Sequence, residues 1–162
     1  NPRKAKDLFE EGLKELGLDQ SELDPITFLT SNSEMAIADG EFIVEQLNNN
    51  LGINIVLEPV AIGERYSRTS SGDYEMTISG WGPDYNDPMT YLDMWTSNSQ
   101  INSVSWYNKD YDAFIAQAKT ETDLDKRMDL LAQAEEMLVN ETPIVQIYFR
   151  KKVIISFGNC AS

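Results

Sequence analysis

The feature that most constrains this chain is an alternation: within residues 1–79, short β-prone runs take turns with amphipathic segments of helical period. Asn1 and Pro2 supply an N-cap and a first-turn proline, and Ala5, Leu8, Phe9, Leu13 and Leu16 then recur on one helical face up to Gly17. Pro25 precedes Ile26 to Leu29, a β-prone run that ends in the polar group Thr30, Ser31, Asn32 and Ser33. Ser33 is placed to cap a second helix, in which Ile37, Gly40, Val44, Leu47 and Leu51 recur every three or four residues before Gly52. Residues 53–58 alternate as a second strand up to Pro59. Ile62 and Tyr66 then mark the apolar side of a short helix that fades by Gly72, and Tyr74 to Ser79 reads as a third strand.

The downstream part is mostly helical. Asp87 and Pro88 open a short helix through Tyr91, Leu92 and Trp95, and Tyr111, Phe114, Ile115 and Ala118 form another apolar stripe. Thr122 is placed to cap the longest helix, with Leu124, Met128, Leu131 and Leu138 on its inner face, and Pro143 ends it. Ile144 to Phe149 predicts a last strand, continued through Val153, Ile154 and Ile155. Strands joined through helices pair in parallel, because the crossover returns the chain to the same end of the sheet. The order therefore predicts the α/β class, as an open mixed sheet with helices on both faces.

Composition narrows the chemistry. With 13 basic against 27 acidic residues the formal charge is −14, and a face for nucleic acid would need the clustered Lys and Arg that are missing here. The absence of His and the single Cys160 exclude a zinc finger, a Cys-His nucleophile, a Ser-His-Asp triad and an internal disulfide. No run approaches the ~18 apolar residues of a membrane-spanning helix, and the first residues contain no apolar signal core. A beginning at Asn1, without Met, is expected of a mature form or a fragment.

Open α/β sheets bind ligands beyond the carboxyl ends of their strands, where loops and helix N-termini leave backbone groups unpaired. Two loops lie there: Thr30 to Ser33 after the first strand and Gly80 to Asn86 after the third. In the second, Gly80 and Gly82 would let another backbone approach, Trp81 and Tyr85 offer flat apolar walls, and Asp84 offers a carboxylate. Such a place suits a cationic or amide-bearing ligand. Each residue also has a plainer use: Trp81 in core packing, Asp84 as a turn cap, Asp87 as the N-cap before Pro88, and Ser31 to Ser33 as caps of the second helix. A catalytic pair of Asp84 with Asp87, Asp93 or Glu64 has no support in spacing, and the acids lack the regular Asp/Asn pattern of a calcium loop.

The run SGDYEMTISGWGPDYNDPMTYLDMW resembles the signature region of the oligopeptide- and dipeptide-binding proteins of ABC importers, the family 5 extracellular solute-binding proteins. NPRKAKDLFEEGLKELG, ITFLTSNSE, LGINIVLEPV and the stretch from KDYDAFIAQAK to TPIVQIYFR resemble further family segments in the same order, as far as about residue 155. The resemblance implies one lobe of a type II periplasmic-binding-protein-like fold, the C-terminal lobe of a receptor whose two lobes close on the ligand. Residues 1–156 would form this lobe and residues 157–162 a tail. It also implies a binding protein without catalytic residues, metal or cofactor, working outside the cytoplasmic membrane in the periplasm or as a cell-surface lipoprotein. Its partners would be a peptide, the other lobe and a membrane permease.

By the same resemblance, Asp84, three residues after Trp81, pairs with the α-ammonium of a bound peptide, while Gly80 and Gly82 line the peptide backbone. Trp81, Tyr85, Asn32 and Ile62 complete the expected site. Where some members place a basic residue in the third strand, this chain has Ile78. Members of the family also carry oligosaccharides, nickel chelates or signalling peptides, so ligand class stays open at this point.

Overall fold

The computed structural model describes residues 1–149, and these fall into two compact bodies, Asn1–Tyr107 and a second that begins at Asn108. In the first body the elements run α1 (Pro2–Leu16), β1 (Ile26–Ser31), α2 (Glu34–Leu51), β2 (Ile55–Val60), α3 (Ile62–Ser71), β3 (Met76–Thr77) and the short α4 (Met89–Leu92). The sheet has the order β2-β1-β3, with both pairings parallel. Register runs from Ile26 opposite Ile55 to Ser31 opposite Val60, and Phe28 and Leu29 face Met76 and Thr77 on the other side.

Local chemistry sets the helix ends as the sequence predicts. The Asn1 side chain accepts from the Lys4 amide at 3.1 Å and the Ser33 hydroxyl from the Ala36 amide at 3.3 Å. Gly17, Gly52 and Gly72 each close a helix at positive φ, a conformation in which a Cβ would be strained.

Helices cover both faces of the sheet. On one face lie Phe28, Thr30 and Leu57. There α2 is seated so closely that a Cβ on Gly40 would lie 2.6 Å from Leu57 Cδ1, and the Thr30 hydroxyl donates to the Ala36 carbonyl at 3.2 Å. On the other face α3 reaches the sheet through Arg68, whose guanidinium contacts Glu58 at 2.9 Å. That bond raises the Arg68 pKa above its ordinary value.

β2 is an edge strand. Its residues 56, 58 and 60 turn their backbone toward β1, which leaves the Pro59 nitrogen facing outward, where no ladder donor is required. Asn48 of α2 occupies the outward groups of Ile55, donating to its carbonyl at 3.0 Å and accepting from its amide at 2.8 Å.

The third strand is far shorter than its sequence predicts. On its near side the Glu75 carboxylate accepts the Thr27 amide at 2.7 Å, and on its far side Arg65 donates to the Ile78 carbonyl. Side chains thus take backbone positions that a longer ladder would use. α3 forms where expected, with Ile62 and Tyr66 more than half exposed and Arg65 buried. The helix docks by guanidinium groups instead of alkyl ones.

The second body contains the hairpin of α5 (Lys109–Thr120) and α6 (Leu124–Glu141). Tyr111, Ile115 and Ala118 on α5 and Leu131, Ala134 and Leu138 on α6 are buried at helical spacing. Ala118 and Ala134 have no exposed surface at all, so the two backbones can approach closely where they sit. The N-cap of α6 is Asp123, one residue past the expected Thr122. Its carboxylate accepts from the amides of Asp125 and Lys126 at 3.1 and 3.2 Å, and its charge suits the positive end of the helix better than a hydroxyl does.

Residues 144–149 form no strand. Val145, Ile147, Tyr148 and Phe149 are all exposed, and β-propensity alone does not make a ladder. The sheet of the described residues is therefore purely parallel, while the α/β class stands. The expected continuation through Val153, Ile154 and Ile155, Cys160 and the expected tail 157–162 lie outside the described residues.

Two glycine substitutions should move stability in opposite directions. Gly12 lies inside α1 with open space where its Cβ would point, so Gly12→Ala should stabilise by about 0.5–1 kcal/mol. Gly40→Val forces a branched side chain against Leu57 and should destabilise by about 1–3 kcal/mol. Urea midpoints of the two variants against the parent read both shifts.

Candidate functional site

Because the strands are parallel, the loops that leave β1, β2 and β3 start at one rim of the sheet. Asn32 follows the end of β1, Ile62 begins α3 just past β2, and Gly80 to Asn86 follow β3. The sequence-predicted residues therefore share an edge. The Asn32 amide donates to the Val60 carbonyl at 2.9 Å, which ties the first of these loops to the end of the second strand, and the Asn32 and Ile62 side chains are exposed.

Gly80 to Asn86 are exposed throughout, with Trp81 at 41% and Tyr85 at 50%. Trp81 is thus not a core residue. Neither Gly80 nor Gly82 has a positive φ, and a Cβ added to either would meet nothing within 4 Å. Among the described residues, neither turn geometry nor packing demands glycine at these two positions.

The acids of the loop divide by role. Asp87 stands one residue before Pro88, the N-cap of α4, and engages the helix start: its Oδ1 accepts from the Met89 amide at 2.9 Å and its carbonyl from the Thr90 amide at 3.2 Å. Asp84 does no such thing. Its own amide donates to the Thr90 hydroxyl at 3.2 Å, whereas no described residue engages its carboxylate by hydrogen bond or ion pair. The backbone of Asp84 is held and its charge is uncommitted.

Pro83, Tyr85, Asn86, Asp87, Pro88 and Tyr91 line a shallow depression of about 350 Å³ in this loop and the start of α4. Of the expected site residues, Tyr85 alone lines it. No group of three or more His, Cys, Asp or Glu among the described residues could hold a metal, and none of the described helices is long and apolar enough to cross a membrane.

Sequence reasoning missed two residues that shape this rim. Arg65, 7% exposed, donates to the Ile78 carbonyl, and Thr90, 3% exposed, holds Asp84. The spacing of Ile62 and Tyr66 pointed to an alkyl face, and apolar periodicity has no signal for a buried guanidinium. Thr90 could have been found from its place, six residues after Asp84 on the helix whose start Asp87 engages.

Known proteins resemble this chain in sequence and fold. The dipeptide-binding protein DppE of Bacillus subtilis (strain 168) is 35% identical over 153 residues, covering 94% of this chain and 28% of its own length. The oligopeptide-binding protein OppA of the same organism is 33% identical, with 90% and 27% covered. Among solved structures, the substrate-binding domain of an oligopeptide ABC transporter from Bacillus anthracis str. Ames aligns with a TM-score of 0.82 at 37% identity, over 88% of this chain and 28% of that one. Listeria monocytogenes OppA bound to peptide aligns with a TM-score of 0.75 at 34% identity, over 85% and 25%. The chain thus spans little more than a quarter of these relatives. Residues 1–103 match the model of the bacterial extracellular solute-binding proteins, family 5 middle region, and the chain belongs to that family.

Proposed function

We propose that residues 1–156 form one lobe of an extracytoplasmic receptor that captures peptides by hinged closure and delivers them to a membrane permease, without catalysing a reaction. The observation that carries this reading is the uncommitted Asp84 carboxylate on a loop whose backbone is held from below. An acid used for the fold alone would be engaged as Asp87 is. The names of the relatives, peptide-binding proteins that extend well beyond the matched segment, support the ligand class and the second lobe.

In this reading Asp84 accepts the α-ammonium of the peptide. Closure of the second lobe excludes water, and a charge-assisted hydrogen bond of this kind contributes about 1.5–3 kcal/mol. It sets the register of the peptide whatever its side chains. Gly80 and Gly82 then acquire a reason: without side chains the loop lets the peptide main chain approach and pair with its backbone, as an added strand would. Trp81 and Tyr85 provide flat apolar surface for peptide side chains, with Asn32 and Ile62 further along the same rim.

In the full-length receptor, Asp84→Ala should weaken free peptides by about 10- to 100-fold and N-acetylated peptides far less. Calorimetric titration with matched pairs reads the difference, and equal losses would remove the ammonium role. The isolated chain offers half of the burying surface, so it should bind the same peptides only weakly. Submicromolar binding by it would contradict closure between lobes.

A further inference from the structure

The chain past β3 hangs on very few bonds. Ladder pairing stops at Thr77, whose hydroxyl still donates to the Leu29 carbonyl at 2.9 Å. The next anchor is the Ile78 carbonyl, which Arg65 holds. Beyond it, the Asp84 amide on the Thr90 hydroxyl is the following tether, so Ser79 to Pro83 span freely between two buried polar side chains. Arg65 stands in the first turn of α3, its amide on the Ala61 carbonyl at 2.9 Å, at the rim from which the loop departs.

Nothing else explains a buried arginine there. No described carboxylate pairs with it; its guanidinium lies 5.5 Å from the centroid of the Tyr66 ring and makes its hydrogen bond to Ile78. Burying a guanidinium without a counter-ion is unfavourable, and an apolar side chain would fill the same space without that penalty. A planar, always charged donor has one advantage over an alkyl group: it fixes a carbonyl in position and direction.

We infer that Arg65 is a positioning residue for the binding loop: by holding the Ile78 carbonyl it sets where Gly80 to Asp84 leave the sheet, and so where the Asp84 carboxylate stands. This rests on the reading of Asp84 as the ammonium acceptor. Arg65 touches no ligand. It fixes one end of the span as Thr90 fixes the other.

The test compares wild type, Asp84→Ala, Arg65→Met and Arg65→Lys in the full-length receptor, by calorimetry with one peptide in free and N-acetylated form and by thermal unfolding. Arg65→Met keeps length and bulk but removes the donors. It should weaken the free peptide about tenfold and bring the free-to-acetylated ratio down toward that of Asp84→Ala, while unfolding stays cooperative. Arg65→Lys, which keeps a charged donor, should recover part of the ratio. A wild-type ratio retained by Arg65→Met would overturn the proposal and leave the role of Asp84 standing.

A wild-type ratio near one would instead remove the Asp84 reading. The crystal structure of unliganded Arg65→Met then decides: a shifted backbone from Ile78 to Asp84 supports positioning, and an unmoved one overturns it. Should Arg65→Met fail to fold, Arg65→Gln, shorter but polar, is read by the same two criteria.

Discussion

Parallel pairing is the constraint on which the rest of the first body depends. Once Ile26 faces Ile55 and Phe28 faces Met76 in the same direction, each strand must end at the same rim, and each connection must return along a face of the sheet. The returning segments are α2 and α3, and they cover opposite faces because Leu57 and Glu58 point opposite ways from one strand. Backbone groups beyond the last ladder bonds are left without strand partners at that rim. The residues proposed to meet a ligand therefore stand where the sheet can no longer satisfy its own chain.

The buried polar residues of the described chain are Thr30, Arg65 and Thr90, and all of them serve this rim. Thr30 closes the loop after β1 onto the first turn of α2, Arg65 holds the exit of β3, and Thr90 holds Asp84. A polar group taken out of water needs a hydrogen bond to offset its desolvation, and here each finds one on backbone close to a loop. Polar burial has been spent on orientation at the edge of the sheet, and the packing of its centre is left to Phe28, Leu29 and Ile55.

Much of this was legible in the sequence. Helix limits at Asn1, Ser33, Gly17 and Gly52 follow from caps that act within a few residues, β1 follows from a β-prone run after Pro25, and β2 from alternation. Two departures share one physical origin, a side chain acting over a distance that local pattern cannot see: Glu75 and Arg65 shorten β3 by competing for backbone groups, and Arg65 and Arg68 dock α3 by guanidinium groups. The run at 144–149 shows instead that β-propensity alone does not make a strand. At the site, the type of loop and its residues could be read. The use of Asp87 at the helix start was legible from Pro88 beside it, whereas the hold of Thr90 on the Asp84 backbone was not, because it joins residues through folded geometry.

One detail of β2 bears on what the protein avoids. Among the described residues of its outward-facing edge, Ile55 is occupied by the Asn48 amide and Pro59 has no donor to offer, which leaves the Leu57 N–H. A neighbouring molecule trying to lengthen the sheet would find that edge already blunted. In a protein whose task is proposed to include adding a peptide strand at one rim, such a guard along another border confines strand addition to the intended place and discourages self-association between copies.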